Sequence, residues 1–160
     1  MATVGLRDVV DEDLDAIFDQ MRDPVAVHMT AFTAEDPDDR AEFDAHLHRL
    51  RTSPDITLLA ITVNGVLAGT IASFPVGADI EITYWLDRAY WGQGIATAAV
   101  RAFLTTIPVR PVIARAASDN AGSLAVLRKT GFTKTGTEIA YANQRGKEIE
   151  ETVLRLDTPC

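Results

Sequence analysis

Residues 90–104 read YWGQGIATAAVRAFL, a stretch with two aromatic residues, glycines at positions 92 and 94, and then a run of mostly small and apolar residues. The run predicts a helix from Gly94 to Thr105. The first backbone N–H groups of a helix have no partner within it, and together with the helix dipole they attract anions. Because Gly92 and Gly94 carry no side chains, a phosphate group can approach these N–H groups closely. The stretch therefore predicts a site for a phosphate-bearing ligand.

Two common phosphate-binding motifs fit this stretch poorly. A Walker A loop places Lys and then Ser or Thr after its glycines, and residues 90–104 contain no Lys. A Rossmann fingerprint requires Gly where Thr97 stands and an acidic residue about twenty positions later, where Ala116 and Ala117 stand. Glycines that merely allow a helix to pack closely on a sheet remain an alternative explanation.

The segments around this stretch alternate irregularly between strand and helix patterns. Asn64-Gly65, between two β-branched runs, is typical of a hairpin turn, and Gly131 indicates a left-handed helix cap. Further strands are expected at Val4–Val9 and Ile80–Asp87, within 109–117 and on both sides of 143–146, with further helices within 10–21, 34–54 and 120–130. This order predicts an α+β fold, in which about seven strands form a mixed, mostly antiparallel sheet flanked by about four helices on both faces.

Length and composition limit the class of protein. A chain of 160 residues that is 47% apolar predicts a single domain over 1–160. The longest apolar runs are shorter than the roughly 18 residues of a membrane span, and Arg7 and Asp8 stand where a signal peptide would be apolar. We therefore expect a cytoplasmic protein that does not bind membranes. The residues that commonly bind metals predict neither a disulfide nor a metal site: Cys160, His28, His46 and His48.

The charge of the chain is unevenly distributed. The net charge of −8 and the pI near 4.8 argue against nucleic acid as a partner, because phosphate contacts require clustered Lys and Arg. Residues 1–50 contain thirteen Asp or Glu against four Arg, a balance of −9, so the rest of the chain sums to +1. Part of this acidity is clustered at Asp36, Asp38, Asp39 and Glu42. The acidic third is either a solvated surface that aids solubility or a wall that attracts cations.

Three segments together resemble one family. WGQGIA at 91–96 resembles motif A of the GNAT superfamily of N-acetyltransferases, with Gly94 and Ala96 at two of its fixed positions. Trp91 departs from the usual Arg or Gln, but this form is typical of the subgroup similar to the Rim-type acetyltransferases of ribosomal-protein N-termini. EITYWL at 81–86 and NAGSLAVLRKTGF at 120–132 resemble the same subgroup in the same order.

The resemblance implies acetyl-CoA as the acyl donor, although another acyl-CoA stays open. The N–H groups of Gln93, Gly94, Ala96 and Thr97 would bind its pyrophosphate, and Asn120 would bond to the pantetheine or a nearby phosphate. In this fold the strand before motif A splays from its neighbour, so that its free backbone groups would meet the pantetheine arm. Capping of a helix is the alternative role of Asn120. The implied donor-binding set is Ile82, Tyr84, Trp85, Leu86, Trp91, Gly92, Gln93, Gly94, Ile95, Ala96, Thr97, Asn120, Ser123, Arg128 and Lys129.

The chemistry needs a neutral amine and a donor for the departing thiolate. Glu81, a carboxylate between Ile80 and Ile82 in a predicted strand, is the candidate base, through a water molecule; a solvent-facing side chain or a structural ion pair is the alternative. Many superfamily members have Tyr where this chain has Leu127. Rim-type members resemble this chain in having Ser where Ser123 stands, and the resemblance therefore implies Ser123 as the donor, with close helix packing as its alternative role. Tyr84 and Tyr141 are reserve donors that the sequence does not rank.

The expected reaction is direct transfer of an acetyl group to a primary amine. The resemblance favours the α-amine of a protein or peptide N-terminus. A small cationic amine such as a polyamine, an amino acid or an antibiotic-like molecule is an alternative, and so is a catalytically silent CoA-binding sensor or interaction domain. Since helices one and two of this fold form a wall of the acceptor groove, their acidity favours a cationic acceptor. The expected assembly is a monomer or a homodimer.

Overall fold

The structure is a computed structural model that describes residues 2–158, so Cys160 lies outside the described residues. Short 3-10 helices span Asp11–Asp13 and Arg88–Tyr90. The strands are β1 Val4–Asp8, β2 Thr57–Val63, β3 Val66–Val76, β4 Asp79–Leu86, β5 Val112–Ala117, β6 Thr133–Ala142 and β7 Lys147–Leu156. The helices are α1 Leu14–Met21, α2 Pro24–Thr30, α3 Arg40–Thr52, α4 Ile95–Leu104 and α5 Ala121–Lys129. Within 2–158 no helix is long and apolar enough to cross a membrane.

All seven strands form one sheet, in the order β1-β2-β3-β4-β5-β7-β6. Neighbouring strands are antiparallel except β4 and β5, which are parallel. The pairing of β4 with β5 extends only from Ile80 opposite Val112 to Ile82 opposite Ala114, and past these residues the two strands have no register partners in each other. The predicted mixed sheet with a splayed central pair is confirmed.

The hairpin between β2 and β3 forms where the sequence predicts it. Asn64 and Gly65 have φ values of 51° and 82°, which are the positive angles that a two-residue hairpin turn requires. The sheet also needs a glycine that the sequence does not single out. A Cβ atom on Gly69 of β3 would collide with the Trp85 carbonyl oxygen of β4. Gly69 therefore allows the close approach of β3 and β4 beside the splayed end.

Helices cover both faces of the sheet, as predicted. Apolar side chains of α4 and α5, with Phe103 and Leu104 fully buried among them, form the main core against one face. On the other face α1 and α3 pack through Ile17, Phe18 and Phe43 against β2. At the splayed end of β4, α1 contributes only its last residues, since Met21 packs against Trp85 and Gln20 O accepts from its indole.

The structure contains five helices rather than about four. The additional helix, α2, has only seven residues, so its pattern is too short for helical periodicity to stand out. Its start carries recognisable signals, since the Asp23 side chain accepts a hydrogen bond from Ala26 N at 3.1 Å and Pro24 occupies the first turn. Ala26 and Val27 bury α2 against Trp85 of β4.

Candidate active site

The loop before α4 leaves backbone donors facing open space. Gly92 and Gly94 have φ values of 73° and 77°, and Gly94 precedes the first helical residue, Ile95. Ala98 N donates to Gly94 O at 3.1 Å, so the N–H groups of residues 95–97 have no acceptor within the helix. Among residues 2–158, no heavy atom other than those of the glycine and its two chain neighbours lies within 4 Å of the position that a Cβ would take on either glycine. The loop and the first turn of α4 thus form an open cradle of backbone N–H groups that suits an anionic group.

Side chains of the same loop fix its shape. Trp91 Nε1 donates to Leu86 O at 2.9 Å, which ties the loop to the last residue of β4. Gln93 Nε2 donates to Ala89 O at 3.0 Å, and Asp87 Oδ1 accepts from Ala89 N at 3.1 Å. Trp91, which departs from the motif, thus anchors the loop by its indole.

The splayed part of β4 presents different residues to the two sheet faces. Ile82 and Leu86 belong to the core beneath α4 and α5, and Tyr84 packs against that core. Trp85 lies on the opposite face, where Ala26 and Val27 of α2 cover it, and Trp85 Nε1 donates to Gln20 O at 3.1 Å. We call the gap that opens between β4 and β5 past Ile82 and Ala114 the fork. One face of the fork is lined by α4 and α5, and the other is lined by α2.

Asn120 and Ser123 meet at the start of α5. Asn120 Oδ1 accepts a hydrogen bond from Ser123 N at 3.2 Å, so the alternative role of Asn120 as a helix cap is present in the structure. Leu127, one turn later, is 1% exposed and belongs to the main core. Leu127 therefore contributes packing where related enzymes have a hydroxyl group.

Tyr84 and Ser123 form a pair of hydroxyl groups across the fork. Tyr84 Oη and Ser123 Oγ lie 2.9 Å apart, and either can be the donor. Burial raises the pKa of the Tyr84 phenol above its ordinary value, and the hydrogen bond to Ser123 opposes this effect. Tyr141, the other reserve donor, is 60% exposed on the edge strand β6. The structure thus ranks Tyr84 above Tyr141.

Glu81 lies at the base of the fork in an ion pair. Its Oε1 is 3.0 Å from Arg115 Nε, so the structural ion pair that the sequence left open is present. Arg115 also contacts Glu138 at 2.6 Å and Glu151 at 3.7 Å. Burial raises the pKa of Glu151, and the positive charge of Arg115 opposes the shift. One guanidinium therefore holds three carboxylates from three strands.

The family of the chain follows from a comparison of its sequence. Residues 3–133, more than half of the chain, match the family model described as an acetyltransferase (GNAT) domain. The chain belongs to the GNAT acetyltransferase family. This confirms the resemblance of motif A and identifies the chain as an enzyme domain. A comparison with curated protein sequences gives no match.

Solved GNAT structures have the same fold over nearly the full chain. RimJ from Mycobacterium smegmatis, in complex with CoA-disulfide, is 23% identical with a TM-score of 0.80, covering 97% of this chain and 82% of that one. A ribosomal-protein-alanine N-acetyltransferase from Brucella melitensis is 20% identical with a TM-score of 0.79 and coverages of 96% and 99%. Spermidine N-acetyltransferase from Vibrio cholerae, in complex with CoA and spermine, is 15% identical with a TM-score of 0.78 and coverages of 96% and 95%.

In this GNAT domain, α2 and the segment after it pack against Trp85 of β4 and the end of β5. Ala31, which follows α2, is fully buried against Ala117 at the end of β5 and Ala142 at the end of β6. Three residues of the β6–β7 turn donate hydrogen bonds to carbonyl groups of α2 and this segment. The bonds run from Asn143 Nδ2 to Thr33 O, from Gln144 N to Ala31 O, from Gln144 Nε2 to Ala34 O and from Arg145 Nε to His28 O. The wall beside the fork is therefore an element that the sequence pattern missed.

The acidic residues of the GNAT domain separate into distinct groups. Asp38 is paired with Arg22 at 2.8 Å, and Asp39 caps α3 by accepting from Glu42 N at 3.0 Å. A cleft of about 770 Å³ lies between α1 and the end of β4, and its lining contains three carboxylates, Asp19, Asp23 and Asp87, against one guanidinium, Arg88, which pairs with Asp23 at 3.2 Å. The cleft, rather than the start of α3, combines acidity with room for a ligand.

Two predicted donor-binding residues lie away from the loop. Arg128 and Lys129 occupy the last turn of α5, at the opposite end from Asn120. The Lys129 carbonyl accepts from Arg101 Nη2 at 3.1 Å, and Arg101 is in the last turn of α4. The structure therefore brings these cations beside the C-terminal half of α4 and not to its N-terminus.

Within 2–158 no group of three His, Cys, Asp or Glu is arranged to hold a metal.

Proposed function

We propose that this GNAT domain transfers the acetyl group of acetyl-CoA directly to a primary amine. The observation that carries the proposal is the open cradle at Gly92 and Gly94, which lies at the N-terminus of α4 directly after the splayed strand β4. The diphosphate of CoA matches a cradle of unpaired N–H groups. Two neighbours with the same fold, RimJ from M. smegmatis and the spermidine acetyltransferase from V. cholerae, are complexes with forms of CoA.

Residues on both faces of the fork take part in the transfer. Acetyl-CoA supplies an activated thioester carbonyl. The cradle residues Gln93, Gly94, Ala96 and Thr97 bind its diphosphate through backbone N–H groups. The pantetheine arm binds the backbone of β4 from residue 83 to residue 86, because Ile82, which the sequence also predicts, is paired with Ala114 of β5. Glu81 accepts the proton of the attacking amine through a water molecule, and Ser123 donates a hydrogen bond to the departing sulfur.

The acceptor that we propose first is the α-amine of a protein or peptide N-terminus. The N-acetyltransferase from B. melitensis, named for a ribosomal-protein alanine, supports this choice through its similar fold alone. A small cationic amine is the second candidate, and the acidic cleft at Asp19, Asp23 and Asp87 favours it. Both acceptors arrive as cations, so the two proposals share the same electrostatic requirement.

Binding of the donor is tested by thermal unfolding with acetyl-CoA, NAD and ATP in parallel. A ligand at 100 times its dissociation constant stabilises the folded state by about 2.7 kcal/mol, so we expect a higher melting temperature with acetyl-CoA only. The cradle binds the diphosphate of acetyl-CoA and the fork binds its pantetheine arm. NAD and ATP lack this arm, so they make fewer contacts. An unchanged melting temperature with saturating acetyl-CoA would exclude the proposed donor.

Transfer itself is tested by thiol release from acetyl-CoA with a panel of amines. The panel contains peptides that begin with alanine or serine, the same peptides with a blocked N-terminus, spermidine and free amino acids. We expect release with unblocked peptides and none with blocked ones. Release with spermidine alone would favour the second candidate, and binding of acetyl-CoA without release in any arm would identify a silent CoA-binding domain.

The acidic cleft predicts a salt effect on the acceptor. Screening limits the reach of surface charge to about 8 Å at 0.15 M salt, so kcat/KM for a cationic acceptor should fall severalfold between low and physiological salt. The double variant Asp19→Asn and Asp87→Asn removes two charges of the cleft while asparagine keeps the cap that Asp87 provides. We expect it to raise the acceptor KM at low salt and to leave the acetyl-CoA KM unchanged.

The matched control changes the same number of charges elsewhere. Glu12→Gln with Asp55→Asn alters two exposed carboxylates outside the cleft lining. Equal increases of the acceptor KM in both double variants would assign the salt effect to the net charge of the protein, and no increase in either would remove the support for a cationic acceptor.

A further inference from the structure

The hydroxyl pair of Tyr84 and Ser123 joins the free end of β4 to the first turn of α5. Tyr84 lies two residues past Ile82, where the pairing of β4 with β5 ends, and its Oη is 2.9 Å from Ser123 Oγ. We propose that Tyr84 is a positioning residue for acetyl transfer: its phenol donates to Ser123 Oγ and so directs the Ser123 O–H toward the sulfur of the thioester. The inference rests on the proposed function and adds a residue to it.

The direction of the hydrogen bond follows from the chemistry of the two hydroxyl groups. A phenol is a more acidic O–H than an aliphatic alcohol and is therefore the better donor. When Tyr84 donates, the single proton of Ser123 is left for another acceptor, whereas the reverse arrangement would use it up within the pair. Burial raises the pKa of Tyr84, so the phenol keeps its proton over the whole neutral and mildly alkaline range.

The surroundings hold Ser123 in place for this role. Its backbone N–H donates to Asn120 Oδ1 at 3.2 Å, which fixes the first turn of α5. Both Tyr84 and Ser123 are half-buried. Leu127 supplies no hydroxyl group from the next turn of the helix. The pair is thus a donor on the α5 face of the fork, opposite the face that carries Glu81.

The proposed step conserves atoms and charge. The amine nitrogen forms a bond with the carbonyl carbon, the carbon–sulfur bond breaks, and its electron pair goes to sulfur. The acceptor arrives as an ammonium ion, so two protons leave its nitrogen: one goes to water and Glu81 before the attack, and the other goes to solvent after the carbon–nitrogen bond forms. The thiolate takes its proton from solvent. Tyr84 and Ser123 keep their own protons. They lower the barrier because charge that develops on sulfur strengthens a hydrogen bond already formed along the chain of two hydroxyls.

The test compares Tyr84→Phe, Ser123→Ala and the double variant in single-turnover transfer. The probes are acetyl-CoA and the acceptor from the panel that gives thiol release, either an unblocked peptide or spermidine. We expect the rate to fall about tenfold in Tyr84→Phe and about fiftyfold in Ser123→Ala, with both KM values within about twofold of the wild type. Because Tyr84 acts only through Ser123, the double variant should equal Ser123→Ala rather than lose about five hundredfold.

Thr130→Val is the matched control for the loss of a hydrogen-bonded hydroxyl from α5. Thr130 Oγ1 donates within the last turn, to Val126 O at 3.0 Å and Leu127 O at 2.9 Å, far from the fork. It should lower the melting temperature and leave the transfer rate unchanged. A wild-type rate in Tyr84→Phe, or rate losses that multiply in the double variant, would overturn the role of Tyr84. A wild-type protein that transfers no acetyl group would instead overturn the proposed function.

Discussion

Replacing Gly94 by valine should lower the affinity for acetyl-CoA by at least about a hundredfold while the protein stays folded. A Cβ at Gly94 would lie in open space at the start of α4, and we expect a branched side chain there to exclude the diphosphate from the N–H groups of the cradle. Each hydrogen bond to a charged group contributes about 1.5–3 kcal/mol, and the loss of two of them suffices for a change of this size. Calorimetric titration with acetyl-CoA measures the effect directly.

The structure shows that Gly94→Val also has a conformational cost, which needs its own control. Gly94 has a φ of 77°, and a non-glycine residue at such an angle costs about 1–2 kcal/mol. Gly77, in the turn between β3 and β4, has a φ of 60° and the same open surroundings at the other end of β4. Gly77→Val should therefore destabilise the fold to a similar extent and bind acetyl-CoA normally. Equal affinities for acetyl-CoA in the two variants would show that Gly94 serves the packing of the helix and not the binding of the ligand.

Replacing Glu81 by glutamine should lower the rate of acetyl transfer at neutral pH by about 10²- to 10⁴-fold, the usual contribution of a positioned proton acceptor. Glutamine keeps the size of the side chain but accepts no proton from the amine. The dissociation constant of acetyl-CoA should change less than about threefold, because the cradle does not include Glu81. Single-turnover rates and calorimetric titration separate the two quantities.

The ion pair with Arg115 makes Glu138→Gln the matched control for Glu81→Gln. Glu138 contacts the same guanidinium at 2.6 Å, but it lies on β6, outside the fork. Its replacement removes one partner of Arg115 and should leave the transfer rate within about threefold of the wild type. Equal rate losses in both variants would show that the charge balance around Arg115, and not proton transfer by Glu81, controls the reaction.

The local elements near the site could be predicted because their causes lie within a few residues. The cradle depends on glycines at positive φ beside a helix start, and Asn64-Gly65 fixes a hairpin by the same conformational freedom. Asn120 caps α5 through a residue three positions away. Such signals lie within a short segment of the sequence, so the order of elements and the position of the glycine loop before α4 followed from them.

The partners of the candidate residues could not be predicted, because they depend on strand register. Glu81 and Arg115 are 34 residues apart, and Tyr84 and Ser123 are 39 apart. In the sequence, Arg115 is a single charged residue between alanines. Its carboxylate neighbours Glu138 and Glu151 come near it only because β5 pairs with β7 and β7 pairs with β6. A shift of one residue in β4 or β5 would turn Glu81, Tyr84 or Arg115 to the other face of the sheet.

By itself, the sequence determined the family, the α+β order of elements and the glycine loop before α4, since these depend on local backbone chemistry and on motifs. The tertiary structure decided which helix packs beside the fork and which side chains contact each other there. Helix α2, with seven residues, has too little periodicity to be recognised alone and is stabilised by burial of Ala26 and Val27 against Trp85. The pairing of Tyr84 with Ser123 likewise exists only because the sheet brings β4 and α5 together.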